Sequence, residues 1–305
     1  MNESPTRRCA VIANPTKISD QFRALVEKRL DHGGWTDTLW LQTSEEDPGR
    51  EMTRTAVESE VDLVIAAGGD GTVRVVADGL AGTGIPMGLV PAGTGNLLAR
   101  NLDVPLDETQ AIDTAFSGQT REFDLIKLTV DDKDPEHFAV AAGIGVDAMI
   151  MDETDPALKA KVGTAAYFIA AGKALGRLPV HMTIQLDDQR PIHRHAMLCV
   201  VGNVGVLPGN ITLIPGAQPD DGMLDVYVAS PQHVWHWLKV VLRVITRRPK
   251  KDDQVDQQSA RSVRITLREK DSYQLDGDVI GECLSMFAEI QPGALTVCVV
   301  ADGAS

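Results

Sequence analysis

Residues 63–72 read LVIAAGGDGT, and residues 87–98 read MGLVPAGTGNLL. Each stretch is a short apolar run that ends in a glycine-rich turn, and helical spacing resumes after the turn. Continuous apolar runs of this length are typical of parallel strands that are buried on both faces. Glycines at such a turn let the main chain approach an anion, and the N–H groups of the next helix stabilise phosphate. The two stretches therefore predict strand–turn–helix units that bind phosphate.

The same alternation of strand and helix signals covers the first 130 residues. This order predicts an α/β domain whose doubly wound parallel sheet has helices on both faces. In open sheets of this kind, nucleotides bind at the carboxyl ends of adjacent strands. The predicted strands are residues 9–13, 38–41, 63–67 and 87–90, and the predicted helices are residues 22–30 (ending at Gly33-Gly34), 47–60 (capped by Asp47-Pro48), 73–80 and a last one through Leu102.

Short strand-like segments separated by turn residues dominate after residue 125, which predicts a mainly antiparallel β domain with inserted helices. We expect residues 1–130 to form the first domain, residues 131–294 the second, and residues 295–305 to rejoin the first. The predicted strands are 138–142, 181–186, 196–201, 224–228, 263–267, 286–290 and 295–300, and the predicted helices are 155–178 and 233–247.

The composition excludes several classes of protein. The chain has 305 residues and a net charge of −14, which argues against nucleic-acid binding because that needs clustered Lys and Arg. No apolar segment typical of a signal peptide follows residues 1–8, and the longest uncharged run, 196–219, is broken by Gly and Pro, which predicts strands and turns instead of a membrane span. The four cysteines lack zinc-site spacing, so we expect buried free thiols in a reducing cytosol.

The turn at residues 68–72 carries polar groups as well as glycines. Thr72 offers a hydroxyl donor, and Asp70 offers a carboxylate that could hold Mg²⁺ directly or through water. A tight strand–helix turn with a capping Asp is the structural alternative. A second glycine-rich turn after the next strand favours the phosphate-binding interpretation, because both turns would lie at the same edge of the sheet.

The ordered set of motifs resembles the diacylglycerol kinase catalytic-domain family, which includes sphingosine and ceramide kinases. GGDGT at 68–72 is followed by PAGTGNLLARNL at 91–102. Further segments that are similar to family motifs are residues 14–17 (NPTK), Thr43, residues 143–148 (GIGVDA), Asn203, residues 215–226 (PGAQPDDGMLDV) and residues 274–278 (QLDGD). One such motif would be weak evidence, but the ordered set extends over nearly the whole chain.

The resemblance implies transfer of the γ-phosphoryl group of ATP, with Mg²⁺, to the hydroxyl of diacylglycerol or a related lipid in a cleft between the domains. It implies that the second domain binds lipid and a structural metal ion through the Asp221 side chain and the carbonyls of Gln218 and Met223. The residues alone favour a solvated β-turn before the strand at 224–228. The implied ATP-binding residues are Asn14, Pro15, Thr16, Lys17, Thr43, Gly68, Gly69, Asp70, Gly71, Thr72, Gly93, Thr94 and Asn96.

The implied catalytic carboxylates are Asp276, Asp278 and Asp70, with Asp276 as the favoured base. A base is needed because a lipid hydroxyl is a poor nucleophile. Asp276-Gly277 also fits a type I′ hairpin turn. The chain departs from the family at Asp278, which replaces a Glu, at Leu97, which replaces an Asp, and at Val140, which replaces an Asn; Asp124 is retained.

The segment 233–251 combines an apolar face with Lys and Arg, and Trp235 and Trp237 suit a membrane interface. It predicts peripheral contact with the inner face of the membrane in a cytoplasmic protein, while a helix packed on the β domain is the alternative. The helix predicted at 155–178 would line a lipid-tail pocket or simply pack in the core, and exposed sheet edges allow a homodimer. An NAD kinase-like enzyme, which also carries GGDGT, and a non-catalytic lipid- or nucleotide-binding regulator remain as alternative functions.

Overall fold

The computed structural model describes residues 7–145, 179–207, 211–212, 214–230 and 255–301. The chain divides into two units, Met1–Leu125 with Gly293–Ser305, and Ile126–Pro292. It enters the second unit within strand β5 (Gln119–Val130) and returns within strand β16 (Asp278–Val299). The domain limits expected at residues 130 and 294 therefore lie inside these two strands.

The first unit contains a parallel sheet in the order β2-β1-β3-β4, with the end of β16 parallel to β4. This confirms the predicted α/β sheet. Its elements are β1 (Arg7–Ala13), α1 (Phe22–Gly33), β2 (Trp35–Gln42), α2 (Arg50–Glu58), β3 (Leu63–Gly68), α3 (Asp70–Leu80), β4 (Met87–Pro91), α4 (Leu97–Asn101) and α5 (Glu108–Ser117).

The ends of the helices follow local sequence chemistry. Helix α1 stops at Gly34, which has the left-handed φ of 73° that glycine tolerates, so the predicted stop is confirmed. Helix α2 begins at Arg50, later than the predicted start at Asp47-Pro48, because Gly49 takes the N-cap position with φ 140°. Asp47 still caps the helix, since its carboxylate accepts the N–H groups of Gly49, Arg50 and Glu51.

The strands of the first unit are buried on both faces, as their apolar runs predict. All six residues of β3 are buried, and α1 and α5 pack Phe22, Val26 and Ile112 into the same cluster as Val11 and Ile65. Helix α5 was not predicted from the sequence. Its N-cap is Asp107, whose side chain accepts the N–H of Gln110.

The second unit is built from antiparallel strand pairs in the order β14-β13-β10-β7-β15-β16, with β8 and then β9 beside β15, and β5 and then β6 beside β16. The predicted antiparallel β domain is confirmed. Its strands are β6 (Glu136–Phe138), β7 (Ala141–Gly145), β8 (Val180–Leu186), β9 (Ile192–Ala196), β10 (Leu198–Gly202), β11 (Val206–Leu207), β12 (Ile211–Thr212), β13 (Leu224–Ala229), β14 (Val255–Ala260) and β15 (Ser262–Leu275).

Three predicted strand limits were wrong. Residues 138–142 do not form one strand, because the main chain bends at Ala139-Val140 and both N–H groups turn to the carboxylate of Asp276. Residues 196–201 are divided at Met197, whose N–H bonds the carbonyl of Ala229. The segments 286–290 and 295–300 are parts of the single strand β16. The helices predicted at 155–178 and 233–247 lie outside the described residues.

Candidate active site

The loops that follow the four parallel strands of the first unit begin at one edge of its sheet. The N–H of Asn14 bonds the carbonyl of Ala67, and the N–H of Ala92 bonds the carbonyl of Gly68. The N–H of Thr43 bonds the carbonyl of Ala13 in the same way. All the predicted ATP-binding residues lie in these loops, at the end of β3 or in the first turn of α3, so the sheet brings them together.

The two glycine-rich turns touch through their main chains. A Cβ atom added to Gly93 would lie 2.8 Å from the Cα of Gly69, which is closer than real Cβ atoms come to any heavy atom. A Cβ added to Gly69 would lie 2.8 Å from the Nζ of Lys17. The ammonium group of the first loop therefore sits against the glycine turns, and glycine at these two positions makes the approach sterically feasible.

Asp70 joins the two turns. Its Oδ2 accepts the N–H of Asn96 at 2.9 Å, and its Oδ1 accepts the N–H of Leu97 at 2.6 Å. Leu97 is the first residue of α4, so the carboxylate also compensates the positive end of that helix. Gly95 must be small here, because a Cβ on it would lie 2.6 Å from Asp70 Oδ2. The carboxylate predicted to hold Mg²⁺ thus fixes the loops, and its metal role stays a prediction.

Asn96 closes the second turn on itself. Its side-chain oxygen accepts the N–H of Gly93 at 2.8 Å, and its amide nitrogen donates to the carbonyl of Gly93 at 2.9 Å. The residue has φ 48° and ψ 48°, a left-handed conformation that Asn tolerates better than most residues. Thr94, at the tip of this turn, is exposed. The turn therefore holds its shape before any ligand arrives.

The first loop is ordered by Asn14. Its side-chain oxygen accepts the N–H and the hydroxyl of Thr16 at 3.0 and 2.8 Å, and its carbonyl accepts the N–H of Lys17. Pro15, Thr16 and Lys17 are exposed and can meet a ligand. Lys17 is thereby held at the edge where the glycine turns lie.

Thr43, Gly68 and Thr72 are buried: Thr43 follows β2, Gly68 ends β3, and Thr72 lies in the first turn of α3. Thr43 is only 6% exposed, and its hydroxyl has no hydrogen-bond partner among the described residues. Such an unmatched buried group is unfavourable unless a ligand or water completes it. Gly68 packs against the Thr72 side chain, and Gly71 lies with Thr72 in the first turn of α3.

Sequence reasoning missed two residues of this site. Gly95 was quoted within a motif but was not assigned a role, although its contact with Asp70 forbids a side chain. Arg100 bonds the carbonyl of Gly95 at 2.8 Å through its Nε and so supports the same turn. The position of Arg100 in the last turn of α4 was the only signal in the sequence.

In the second unit, the hairpin between β15 and β16 carries the other two predicted carboxylates. Asp276 and Gly277 have φ values of 46° and 97°, and Leu275 pairs with Asp278, so the predicted two-residue turn with positive φ at both positions is confirmed. Asp276 is 5% exposed, while Asp278 is exposed. The same hairpin thus carries one buried carboxylate, Asp276, and one exposed carboxylate, Asp278.

The carboxylate of Asp276 is fixed by main-chain donors. Its Oδ1 accepts the N–H groups of Val140 and Ala141 at 3.0 and 2.9 Å, and its Oδ2 accepts that of Ala139 at 3.3 Å. The N–H of Asp276 donates to the carbonyl of Ala141. These bonds stabilise the ionised carboxylate and hold it in one orientation. Asn203 lies next to this segment, since its N–H bonds the carbonyl of Val140.

The predicted metal ligands lie in the turn before β13. Asp221 and Gln218 are exposed, and Met223 is partly buried. Asp221 Oδ1 accepts the N–H of Met223 at 3.0 Å, and Gly222 has φ 73°. Within the described ranges, no group of three His, Cys, Asp or Glu side chains could hold a metal ion. A site here would need main-chain carbonyls, the hard oxygen donors that suit Mg²⁺.

The cysteines are separate from these sites. All four are free and buried, as predicted. Burial raises the pKa of Cys9 and of Cys283 to about 12, and that of Cys298 to about 11. Thiols with such pKa values stay protonated at neutral pH, so they do not act as nucleophiles there.

Two family models match the chain. The diacylglycerol kinase catalytic domain matches residues 8–128, and the YegS C-terminal NAD kinase beta sandwich-like domain matches residues 140–299. The first covers the glycine turns with Lys17, and the second covers the Asp276 hairpin and the Asp221 turn. The candidate residues matched by the first family model lie in the first unit, and those matched by the second family model lie in the second unit.

Three curated relatives that the chain matches are each named diacylglycerol kinase. The chain is 29% identical to a diacylglycerol kinase of Mycobacterium tuberculosis over 252 residues, which is 82% of this chain and 81% of that protein. It is 28% identical to one of Staphylococcus epidermidis over 291 residues (93% and 90%) and 26% identical to one of Bacillus subtilis over 295 residues (93% and 95%).

Solved structures share the fold. A diacylglycerol kinase structure from Bacillus anthracis str. Sterne matches with a TM-score of 0.70 at 22% identity, over 97% of this chain and 98% of that one. A further structure from the same organism gives a TM-score of 0.78 at 24% identity over 98% of each chain. Across the described ranges, no helix has the length and apolar character needed to cross a membrane. The two matching family models and the curated relatives show that the chain belongs to the diacylglycerol kinase catalytic-domain family and is a lipid kinase of that type.

Proposed function

We propose that this enzyme transfers the γ-phosphoryl group of ATP to the hydroxyl of diacylglycerol or a closely related lipid. The observation that carries the proposal is the contact between the Lys17 ammonium and the two touching glycine turns. Main-chain N–H groups at a helix start, glycine main chain and a cation together form an environment that favours phosphate oxygens. We infer that the acceptor is a lipid because the relatives are named diacylglycerol kinase.

The environment of Thr43 is further evidence that a nucleotide binds where the parallel strands of the first unit end. Its buried hydroxyl lacks a partner among the described residues, and Thr43 follows β2, which runs parallel to β1, β3 and β4 in the same sheet. A bound nucleotide would complete the hydrogen bonding of this group, which otherwise costs about 1–3 kcal/mol. We therefore assign Thr43 to ATP together with Lys17 and the two glycine turns.

Mg²⁺ fits the proposed reaction, since it neutralises phosphate charge when it is bound with ATP. In the first unit, Asp70 would act on this ion mainly through the loops that it joins, because both of its oxygens already accept main-chain N–H groups. In the second unit, Asp221 with the carbonyls of Gln218 and Met223 would hold a structural ion, for which the exposed turn offers only oxygen donors.

Asp276 is our proposed base for the lipid hydroxyl. A base must be held in a fixed position to take a proton during transfer, and three main-chain N–H groups hold this carboxylate. Asp278 is exposed on the same hairpin and is the second candidate. Replacing each aspartate by Asn in turn tests which of the two carboxylates acts as the base.

Peripheral contact with a membrane is part of the proposal, because the acceptor lipid resides in a bilayer. The segment 233–251 is our candidate for this contact on the basis of its sequence. Removing two of its six positive charges with Lys239→Gln and Arg243→Gln is expected to weaken binding to anionic vesicles, measured by flotation. Unchanged flotation of this double variant would show that another surface is used.

The test of the proposed function is transfer of ³²P from labelled ATP to dispersed diacylglycerol, with NAD and a total lipid extract as parallel acceptors. We expect labelled lipid and no labelled NAD. Lys17→Met should lower kcat/KM about tenfold to hundredfold, because it removes a charge-assisted contact to phosphate, whereas Lys28→Met, an exposed lysine on α1, should not. Labelled NAD, or the absence of any labelled lipid, would refute the proposal.

A further inference from the structure

An open depression of about 310 Å³ lies on the second unit, over strands β8, β9 and β15. His181 lies opposite His195, and Thr183 lies opposite both His193 and, on the other side, Thr266. Directly opposed side chains on neighbouring strands are about 4.5–5.5 Å apart at Cβ. Six outward side chains therefore form one continuous basic depression: His181, Thr183, His193, His195, Thr266 and Arg268.

Among the residues that the structure describes, those lining the basic depression include hydrogen-bond donors and no carboxylate. Arg268 is exposed and makes no ion pair with any of the described residues. Arg194, which also lines the depression, by contrast already bonds Asp256 through Nε at 2.9 Å. The depression therefore presents positive charge that the described part of the chain does not neutralise.

The imidazoles add to this environment. The rings of His181 and His195 are nearly perpendicular, with centroids 3.9 Å apart. Each imidazole carries a ring N–H that can donate a hydrogen bond to a ligand in the depression. His193 Nδ1 lies 3.0 Å from the hydroxyl of Thr183, which orients the ring and leaves Nε2 for a ligand. The depression is thus suited to a group that accepts several hydrogen bonds and carries negative charge.

We propose that the basic depression binds a phosphate group. A phosphate presents several acceptor oxygens and negative charge, which matches the guanidinium, the imidazoles and the two threonine hydroxyls. The open volume admits a phosphate together with the group to which it is esterified. Free phosphate and the headgroup of an anionic phospholipid share this chemistry, so both are tested. The site lies on other residues than those proposed for ATP and for catalysis.

The test compares the full-length wild type with Arg268→Gln, His195→Gln and the control Arg190→Gln. Arg190 is an exposed arginine in the turn of the same β8–β9 hairpin and does not line the depression. One arm titrates inorganic phosphate and follows its ³¹P line width. The other arm measures flotation with vesicles of phosphatidylcholine alone or with added phosphatidate. Thermal unfolding checks that each exposed substitution leaves the fold intact.

We expect binding to weaken about three- to tenfold in Arg268→Gln and His195→Gln and to stay unchanged in Arg190→Gln. A loss in the phosphate arm identifies a free anion as a ligand, and a loss confined to vesicles with phosphatidate identifies a headgroup. Equal binding of all four proteins in both arms would overturn the proposal. No arm requires turnover, so this outcome is independent of the proposed lipid kinase reaction.

Discussion

The contact between the two glycine turns can be tested by giving Gly93 a side chain. In Gly93→Ala, the new Cβ would lie 2.8 Å from Gly69 Cα and 2.9 Å from Asn96 Oδ1. The first neighbour is main chain and cannot rotate away. The turns must therefore separate by at least about 0.6 Å to reach the 3.4 Å of an ordinary contact.

Such a displacement affects nucleotide binding more than folding. A misplacement of about 1 Å in a binding site can lower the rate by about 100-fold, so we expect Gly93→Ala to bind ATP about tenfold to hundredfold more weakly. Overpacking typically lowers the free energy of unfolding by about 1–3 kcal/mol. ATP affinity is measured by titration calorimetry, and stability by urea unfolding of the same preparations.

Two further glycines provide controls. In Gly79→Ala the Cβ would meet the Thr53 side chain at 2.6 Å, at the far end of α3, so it tests overpacking away from the turns. In Gly69→Ala the Cβ would meet only the movable end of Lys17 closely, so we expect an intermediate loss of ATP affinity. If Gly93→Ala folds and binds ATP as tightly as Gly79→Ala, the two turns do not form the phosphate site.

Four other predictions follow from individual contacts. Asp70→Asn should lower the free energy of unfolding by about 2 kcal/mol, because one amide nitrogen would face a main-chain N–H; an unchanged urea midpoint would contradict this. Asp276→Asn should lower Tm, and it should lower kcat by about 10²-fold or more. Asp278→Asn should keep the wild-type Tm, because Asp278 is exposed. Full turnover of Asp276→Asn would exclude Asp276 as the base. Because burial raises the pKa of Cys9 to about 12, its thiol should resist alkylation at neutral pH until the protein unfolds, as mass spectrometry would show. Burial tends to raise the pKa of Asp131, but its hydrogen bonds outweigh this and lower the pKa below 3.8. The ionised carboxylate therefore stabilises the fold above pH 3.8, and this contribution is lost as the pH falls through the lower pKa. Asp131→Asn should reduce the loss of unfolding free energy at acid pH, and the same pH dependence in variant and wild type would contradict the assignment.

The architecture of the first unit was predictable because local signals and the fold agree. Each apolar run became a buried strand, and each glycine turn lies where its strand ends. Helix α5 escaped prediction since its buried face consists mainly of small residues, Ala111 and Ala115 with Ile112, which give little amphipathic contrast. Its cap at Asp107 was visible in the sequence but lacked a strong periodic pattern behind it.

The hydrogen-bonding roles of the two aspartates were not predictable. Asp70 accepts N–H groups from residues 96 and 97, and Asp276 accepts them from residues 139–141. A sequence pattern shows which side chains a chain carries, but the partners in these bonds are main-chain atoms that every residue except proline supplies. Only the path of the chain decides which of them meet a carboxylate.

This distinction bears on the two departures from the family pattern. Leu97 and Val140 stand where the family commonly has polar side chains, and both side chains are buried. Their main-chain N–H groups nevertheless bond Asp70 and Asp276 at 2.6 and 3.0 Å. Replacing the polar side chain leaves these bonds in place, because they do not depend on the side chain. The departures therefore argue for a different polar network around the carboxylates, and they give no reason to infer that catalysis was lost.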